Sequence, residues 1–417
     1  MPLVARGAGY GLGGGAIGRG AQISLAEHMN RIFEYDSKQR LIRLQPGVSV
    51  GALNAALGLQ GAGVLALAGL DERGTIGGEV ADNAARYLAG KYGTLAANVQ
   101  QLEIVLANGE IIQTGKISKR EINRKKGQQD LEGDIYRGID AILEDYADEI
   151  NAIHERDQTG YNSIASVRDR DGSTDLTPLF IGSQGTLGVI SEMILQVDFR
   201  SQHLNAAVVT FASADMARDA LDELQRFNPA FVKYFDAALV RRAAQAGHAA
   251  PWFQKLGDAE PQAVIVVGFD DFNTRARSKG IKKLEKMFGA AIEISVTLMD
   301  EDSLDSILSL LDIARYSVLS DRAGVGLPPI LSNWFIPPER FEDFSGALAA
   351  LGSKLRVELP LAVDGLTGLV STYPLAAMAH PSDRQKIMRL LDETARLVHR
   401  YDGAIIGQNL TDRKSVV

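Results

Sequence analysis

The chain contains no cysteine. That removes disulfides, thiolate metal sites, iron–sulfur clusters and a cysteine nucleophile from consideration. It leaves the compartment open, with a cytoplasmic location as the default expectation. Histidine is scarce: the six residues at positions 28, 154, 203, 248, 380 and 399 show no paired ligand spacing, so no metal site is expected. Excess positive charge is also missing. A formal net charge of −8 and a pI near 5.4 argue against nucleic acid or an anionic membrane surface as the main partner. No apolar run approaches the roughly 18 residues that read as a membrane span. "AAVVTF" and "AVIVVGF" read instead as buried strands. A charged start followed by an apolar stretch and a small-residue cleavage site is not seen, so no secretory signal is expected.

What is present is an ordinary globular composition, 46% hydrophobic and 23% charged, in 417 residues, which is long enough for two domains. Strand and helix patterns alternate, without internal repeats or a low-complexity linker. "QRLIRLQPG" reads as a strand stopped by Pro46-Gly47, and "VSVGALNAALGLQG" as a helix capped near Ser49 and ended at Gly61. "VQQLEIVLANGEIIQTG" is a hairpin, its two apolar runs joined by Asn108-Gly109. Residues 116–170 are polar and helical, with a basic patch at Lys119–Lys126 that reads as a solvated helix face. "PLFIGSQGTLGVISEMILQV" returns to strands around a glycine turn. Beyond about Asp198 the glycine density falls, and helical segments at Ala214–Phe227 and Thr274–Phe288 each follow a strand. A boundary is expected near residue 200, giving domains 1–200 and 201–417.

The densest glycine stretch opens the chain, "MPLVARGAGYGLGGGAIGRG". Glycine suits backbone that takes positive φ or approaches a ligand without a Cβ, and successive exposed N–H groups make an anion-binding concavity. Gly9, Gly11 and Gly14 match G-x-G-x-x-G, but a dinucleotide fold needs a helix to open there, and "AIGRGAQISL" is glycine-broken and then strand-like. No G-K-[ST] supports a P-loop.

Three further elements follow in order: "TIGGEVADNAARYLAGKYGTL" at Thr75–Leu95, "TGYNS" at Thr159–Ser163 and "LFIGSQGTLGVISE" at Leu179–Glu192. With the opening loop they resemble the FAD-binding PCMH-type domain of the vanillyl-alcohol oxidase/p-cresol methylhydroxylase superfamily. The nearest branch is that of the D-lactate dehydrogenase/glycolate oxidase FAD-linked oxidases. Further on, "WFIPPERFEDF" resembles that branch's C-terminal domain. The resemblance implies an α+β fold: a two-subdomain flavin domain followed by an α+β cap domain with an antiparallel sheet. It implies FAD as cofactor, its diphosphate resting on a glycine loop without a helix dipole. Carried over, Arg6, Gly7, Gly9, Gly11, Gly13 and Gly14 form that loop. Thr75, Gly77, Gly78 and Asn83 form a second wall, and Lys91-Tyr92-Gly93 lies close to the flavin ring. Gly182, Gly185, Thr186, Gly188 and Ile190 bring backbone against the adenosine half. Covalent members place a histidine in the glycine loop; this loop has none, so the FAD is expected to be non-covalent. Tyr10 stands where the family usually has Thr or Ser, and Glu79 replaces the Asn of "GGN".

The catalytic half departs further. The branch typically carries His-x-Gly-Asp-Gly-Asn-x-His and Glu-His-Gly, which hold a metal or act as base. The nearest stretches here, "VDGLTGLVSTYPL" at 363–375 and "GAIIGQNLTDR" at 403–413, contain no histidine. Tyr161, Arg315 and His380 are the remaining catalytic candidates: Tyr161 from "TGYNS", Arg315 as a carboxylate-binding fork, and His380 just beyond the degenerate motif. Each also reads blandly, as a satisfied tyrosine, an exposed arginine and a surface histidine. Trp252 and Trp334 read as packing residues. The family normally has a strand–helix–strand element before the glycine loop and a last segment after "GQNLTDRKSVV", so a chain truncated at both ends is expected, with unpaired strand edges prone to association.

The function implied by the resemblance is FAD-dependent oxidation of a small hydroxyl-bearing substrate, with a 2-hydroxy acid such as D-lactate or glycolate expected. Electrons would pass on to an unknown acceptor. The alternatives are a flavin-binding protein without turnover, or a superfamily member acting on a sugar or alcohol or in non-redox alkyl transfer.

Overall fold

A computed structural model describes residues 1–11, 14–67, 72–85, 87–153, 160–201, 203–243, 261–289, 294–298, 331–375 and 380–406. The chain divides into two compact units. The first takes residues 1–86 and 93–200; the second takes Tyr87–Tyr92 and the chain from Ser201 to Ile405.

In the first unit, β1 (Leu3–Arg6) and β2 (Ala21–Ser24) form a parallel pair of their own, on either side of the opening glycine loop. Next come β3 (Ile32–Asp36), β4 (Leu41–Leu44), the short β5 (Ala62–Gly63), β6 (Val99–Val105), β7 (Ile111–Gln113), β8 (Val189–Gln196) and the short β9 (Asp198–Phe199). Five of them make an antiparallel sheet in the order β3-β4-β8-β6-β7, and β5 pairs with β9. Alternation drives the sheet. In β6, Val99, Leu102 and Ile104 are buried while Gln100 points out. The Asn108-Gly109 turn closes the hairpin as its residue types predict: Gly109 takes φ +88°, and the Asn108 side chain accepts from the Glu110 N–H at 3.0 Å. The helix after Pro46-Gly47 runs Val50–Gly58, with the Ser49 hydroxyl accepting from the Ala52 N–H at 3.1 Å.

The stretch at Thr177–Phe180 differs from the strand its apolar residues suggest. It is a short helix, because Pro178 sits in its first turn with φ already set for helix. The strand begins only at Val189. The basic patch Lys119–Lys126 is helical, and three of its five charges are answered: Arg124 by Glu121, Lys125 by Glu132 at 2.5 Å, Lys126 by Asp140.

The second unit is built on one eight-stranded sheet. Its strands are β10 (Asn205–Phe211), β11 (Phe231–Asp236), β12 (Ala263–Phe269), β13 (Ile294–Leu298), β14 (Trp334–Phe335), β15 (Leu361–Asp364), β16 (Leu369–Thr372) and β17 (Ala404–Ile405), in the order β13-β10-β12-β11-β15-β16-β14-β17. Every pairing is antiparallel. Helices Ala214–Gln225, Thr274–Phe288, Phe341–Leu355 and Pro381–Arg400 contribute Leu224, Leu284, Phe344 and Leu390 to one core with Val232 and Tyr234 of β11 and Ile265 and Val267 of β12. Residues two apart on each strand thus face these helices. Trp334 is part of that core, edge-on to Phe344 at 6.3 Å between ring centroids, as expected of a packing residue.

One carboxylate lies on that packed face. Asp236 accepts from the Tyr234 hydroxyl at 2.5 Å and from the Leu361 N–H at 2.7 Å. Burial raises its pKa above the ordinary 3.8, and these hydrogen bonds offset that only in part. A carboxyl held above its unfolded value stabilises the fold most where it is protonated, and that contribution is lost as pH rises through the folded pKa. Wild-type stability relative to Asp236→Asn is therefore expected to fall between pH 4 and pH 7. Urea unfolding of both proteins across that range checks the sign; a constant difference would refute it.

Candidate flavin-binding site

Thr75 organises the first unit's glycine-rich region. The chain from Glu72 to Gly77 runs along residues 46–51: Val50 N–H donates to Gly74 O at 2.9 Å, Ile76 N–H to Val48 O at 2.8 Å and Gly77 N–H to Pro46 O at 2.8 Å. This fixes Thr75 at the N-cap of the short helix Ile76–Asp82. A threonine there ordinarily accepts from the second or third helical N–H. Here it makes no such bond, and its hydroxyl is buried without any partner. A buried unsatisfied hydroxyl costs about 1–3 kcal/mol, so the arrangement suits a molecule that brings its own acceptor.

The opening loop lies against that hydroxyl. A Cβ on Gly7 would collide with Thr75 Oγ1, so only glycine lets the loop lie so closely against the Thr75 side chain. The Arg6 side chain folds beneath the loop, with Nη2 2.6 Å from where a Gly9 Cβ would stand. Gly11 opens onto free space, and Gly78 meets only the Thr75 hydroxyl, at 3.2 Å. An arginine, a partnerless hydroxyl and bare backbone together form a cradle for an anionic group. Arg6 and Gly11 belong to the diphosphate loop, and Thr75 and Gly78 to the second wall, that the family resemblance implies.

The third glycine segment joins the same helix. Gly182 N–H donates to Val80 O and Gln184 N–H to Ala81 O, both at 2.9 Å. Thr186 gives its hydroxyl proton to Ser183 O at 2.5 Å, and its oxygen also meets the Tyr161 hydroxyl. Gly185 faces open space. Arg6 to Gly11, Thr75 to Gly78, Gly182 to Thr186 and Tyr161 therefore gather around Ile76–Asp82, although they lie far apart in sequence.

Other predicted residues hold the fold. A Gly77 Cβ would strike the Pro46 ring, and a Gly188 Cβ would come within 2.5 Å of Ile104 Cγ2, so packing explains both glycines. Ile190 is a buried β8 residue opposite Ile104. Asn83 ends the helix in the left-handed region, φ +47°, and its Oδ1 accepts from the Ala96 N–H at 3.1 Å. Gly14 closes the loop, its carbonyl accepting from Ile17 N–H at 3.1 Å. Tyr10 stands outside the cradle with the Arg73 guanidinium 5.0 Å over its ring, which accounts for an aromatic residue at that position.

Of the catalytic candidates, Tyr161 has its hydroxyl engaged with Thr186. His380 is the exposed residue that starts helix Pro381–Arg400, its carbonyl accepting from the Asp383 and Arg384 N–H groups at 3.2 Å. Pro381 in the first turn explains its position there. Arg315 and Gly13 lie outside the described residues. The four described histidines, His28, His203, His380 and His399, are all exposed.

Tyr92 and Gly93 divide between the units: Tyr92 ends the segment that belongs to the second, and Gly93 returns to the first with φ +77°. In the second unit, Asp270 accepts from Lys91 Nζ and from the Tyr92 hydroxyl, both at 2.5 Å. Asp364, in the histidine-free hairpin of β15 and β16, accepts from Lys233 Nζ at 2.5 Å and from the Leu366 N–H at 3.0 Å. The sequence reading singled out none of Asp270, Lys233 or Asp364. An acidic residue immediately after the apolar run "AVIVVGF" was the only available signal for Asp270.

Comparison with known proteins gives the site its context. The FAD binding domain family matches residues 1–115, and the C-terminal domain family of the FAD linked oxidases matches residues 200–408, half of the chain. D-2-hydroxyglutarate dehydrogenase of Pseudomonas putida is 25% identical over 424 residues, which cover 98% of this chain and 42% of that protein. Glycolate oxidase subunit GlcD of Bacillus subtilis is 24% identical over 419 residues, 98% of this chain and 75% of that one. The chain thus spans less than half the length of the first of these relatives. Among solved structures, 4-ethylphenol oxidase from Gulosibacter chungangensis, in complex with isoeugenol, has the same fold with a TM-score of 0.65 at 15% identity, over 99% of this chain and 77% of its own. An alkyldihydroxyacetonephosphate synthase follows with a TM-score of 0.62 at 12% identity, over 97% of this chain and 67% of its own. With a family match over half its length, the chain belongs to the FAD-linked oxidases, in the branch of the D-lactate dehydrogenases and glycolate oxidase, and FAD is its cofactor.

Proposed function

We propose that this chain is an FAD-dependent oxidoreductase that oxidises a 2-hydroxy acid and passes the electrons to a separate acceptor. The partnerless Thr75 hydroxyl, buried at the foot of the glycine loop, carries the reading. The names of the relatives support the substrate class, since they include D-2-hydroxyglutarate dehydrogenase, glycolate oxidase subunit GlcD and D-lactate dehydrogenase.

Bound in this cradle, FAD supplies the acceptor for the substrate's hydride. The protein's contribution is to hold it. Thr75 would hold its diphosphate through the otherwise partnerless hydroxyl. Arg6 sets a guanidinium beneath the loop for the same charge. Gly11 and Gly78 admit the ligand against backbone. Tyr161, through Thr186, fixes the 182–186 turn that would hold the other end of the ligand, so Tyr161 acts by positioning and is not assigned as the base. No covalent link is made, because the loop offers neither histidine nor cysteine. No described histidine is buried in a position to take the substrate's proton.

Thr75 yields an unusual expected outcome. Thr75→Val keeps the shape and removes a hydroxyl that has no protein partner. It is expected to leave the apoprotein as stable as wild type or more so, while weakening FAD binding by about 1–1.5 kcal/mol, roughly tenfold. Urea unfolding of the apoprotein and fluorescence titration with FAD measure the two effects; loss of stability with unchanged affinity would refute the assignment.

Purified protein reconstituted with FAD is expected to be yellow, to release its flavin into the supernatant on acid precipitation, and to bleach anaerobically with D-2-hydroxyglutarate, D-lactate or glycolate. A bound flavin that none of the three reduces would overturn the proposed activity.

A further inference from the structure

Segment 87–92 comes from the flavin-binding region of the sequence, yet it is built into the second unit. Three contacts seat it there. The Tyr87 ring stands edge-on to Phe231 of β11, with centroids 4.9 Å apart and planes at 76°. Gly90 lies directly on Leu366 in the turn between β15 and β16, so close that a Cβ would collide with the leucine side chain. Its last two residues, Lys91 and Tyr92, hydrogen-bond to separate oxygens of Asp270. All three contacts hold the backbone of 87–92 in place. The third fixes where two side chains point.

Asp270 is itself held. It follows the last residue of β12 and is only 9% exposed. The turn it begins is clamped by Arg277, a 5% exposed side chain. Arg277 donates to the carbonyl oxygens of Asp271 at 2.5 Å and Phe272 at 3.3 Å, to Asn205 Oδ1 at 2.7 Å and to Thr274 Oγ1 at 3.2 Å. Four hydrogen bonds from one guanidinium to backbone and neutral oxygens rigidify the turn. Within it, Asp271 Oδ1 also accepts from the Asn273 N–H at 2.6 Å. A buried carboxylate on a clamped turn, receiving two charge-assisted or phenolic bonds, is an expensive arrangement to build for surface adhesion. The Lys91 ammonium also lies 5.2 Å from the centre of the Tyr92 ring, so one acceptor sets both groups.

We propose that Asp270 is a positioning residue for the reaction: the second unit uses it to fix the directions of Lys91 and Tyr92. In consequence the Tyr92 hydroxyl is spent on Asp270, and Tyr92 presents its ring. The proposal deepens the reading above and rests on it, because the resemblance sets Lys91-Tyr92-Gly93 close to the flavin ring.

Full-length FAD-loaded wild type, Asp270→Asn, Asp270→Ala, Tyr92→Phe and the Asp270→Asn/Tyr92→Phe double variant test it by three readouts. Hydrogen exchange of peptides covering 87–93 is expected to quicken at least about tenfold in Asp270→Ala, with exchange in β10–β12 unchanged. The visible circular dichroism of the bound flavin is expected to change in Asp270→Asn and Asp270→Ala without loss of flavin. The limiting rate of flavin reduction by a 2-hydroxy acid is expected to fall about ten- to hundredfold, with KM altered far less. Asp270→Asn and Tyr92→Phe share one bond, so the double variant is expected to be no slower than the worse single variant. Unchanged exchange at 87–93, an unchanged flavin spectrum, or additive effects of the two substitutions would each overturn the proposal. If wild type is reduced by no 2-hydroxy acid, the proposed activity fails, and the exchange and dichroism results still decide the role of Asp270.

Discussion

The contact of the Gly7 backbone with the Thr75 side chain sets the geometry of the flavin-binding region. Thr75 is held in place, because residues 72–77 are laced by hydrogen bonds to residues 46–51. The opening loop, entering from β1, must therefore come to Thr75, and it can do so only with no side chain at position 7. From this contact follow the orphaned hydroxyl, the open backbone at Gly11 and Gly78, and the position of the helix that receives the 182–184 turn.

The glycines of this region do two different jobs. Gly77 and Gly188 let protein approach protein, whereas Gly11 and Gly185 leave space beside bare backbone. Composition cannot separate these roles, because both leave the same letter in the sequence. What separates them is what a Cβ would meet. The same test places Gly90 in the first class, against Leu366, and so explains why a glycine recurs in a segment with no phosphate to cradle.

Much of the fold was legible in the residues. The Asn108-Gly109 hairpin, the Ser49 cap and helix Thr274–Phe288 each rest on local chemistry that the structure preserves. The apolar residues at 177–181 were read as strand because apolar runs do not distinguish short helix from strand; Pro178 was the discriminating letter. The family was legible because the glycine segments carry its residue types in its order. The roles given to Asn83, Gly188 and Ile190 were carried over with that pattern, and the structure places the side chain or missing Cβ of each against protein.

Amino-acid sequence alone determined the class of the protein, since glycine, small hydroxyl and apolar alternation act through neighbours a few residues away. It also determined that cysteine and loop histidine could play no part in holding a flavin. Only the tertiary structure decided that the Thr75 hydroxyl has no partner, that Tyr161 is engaged with Thr186, and that residues 87–92 belong to the second unit, where Asp270 receives Lys91 and Tyr92. Each of these joins positions 25 to 179 residues apart, or states that nothing is joined. Hydrogen bonding has a range of about 3 Å in space and none along the chain. Which donor finds which acceptor is therefore settled only when the sheets have packed.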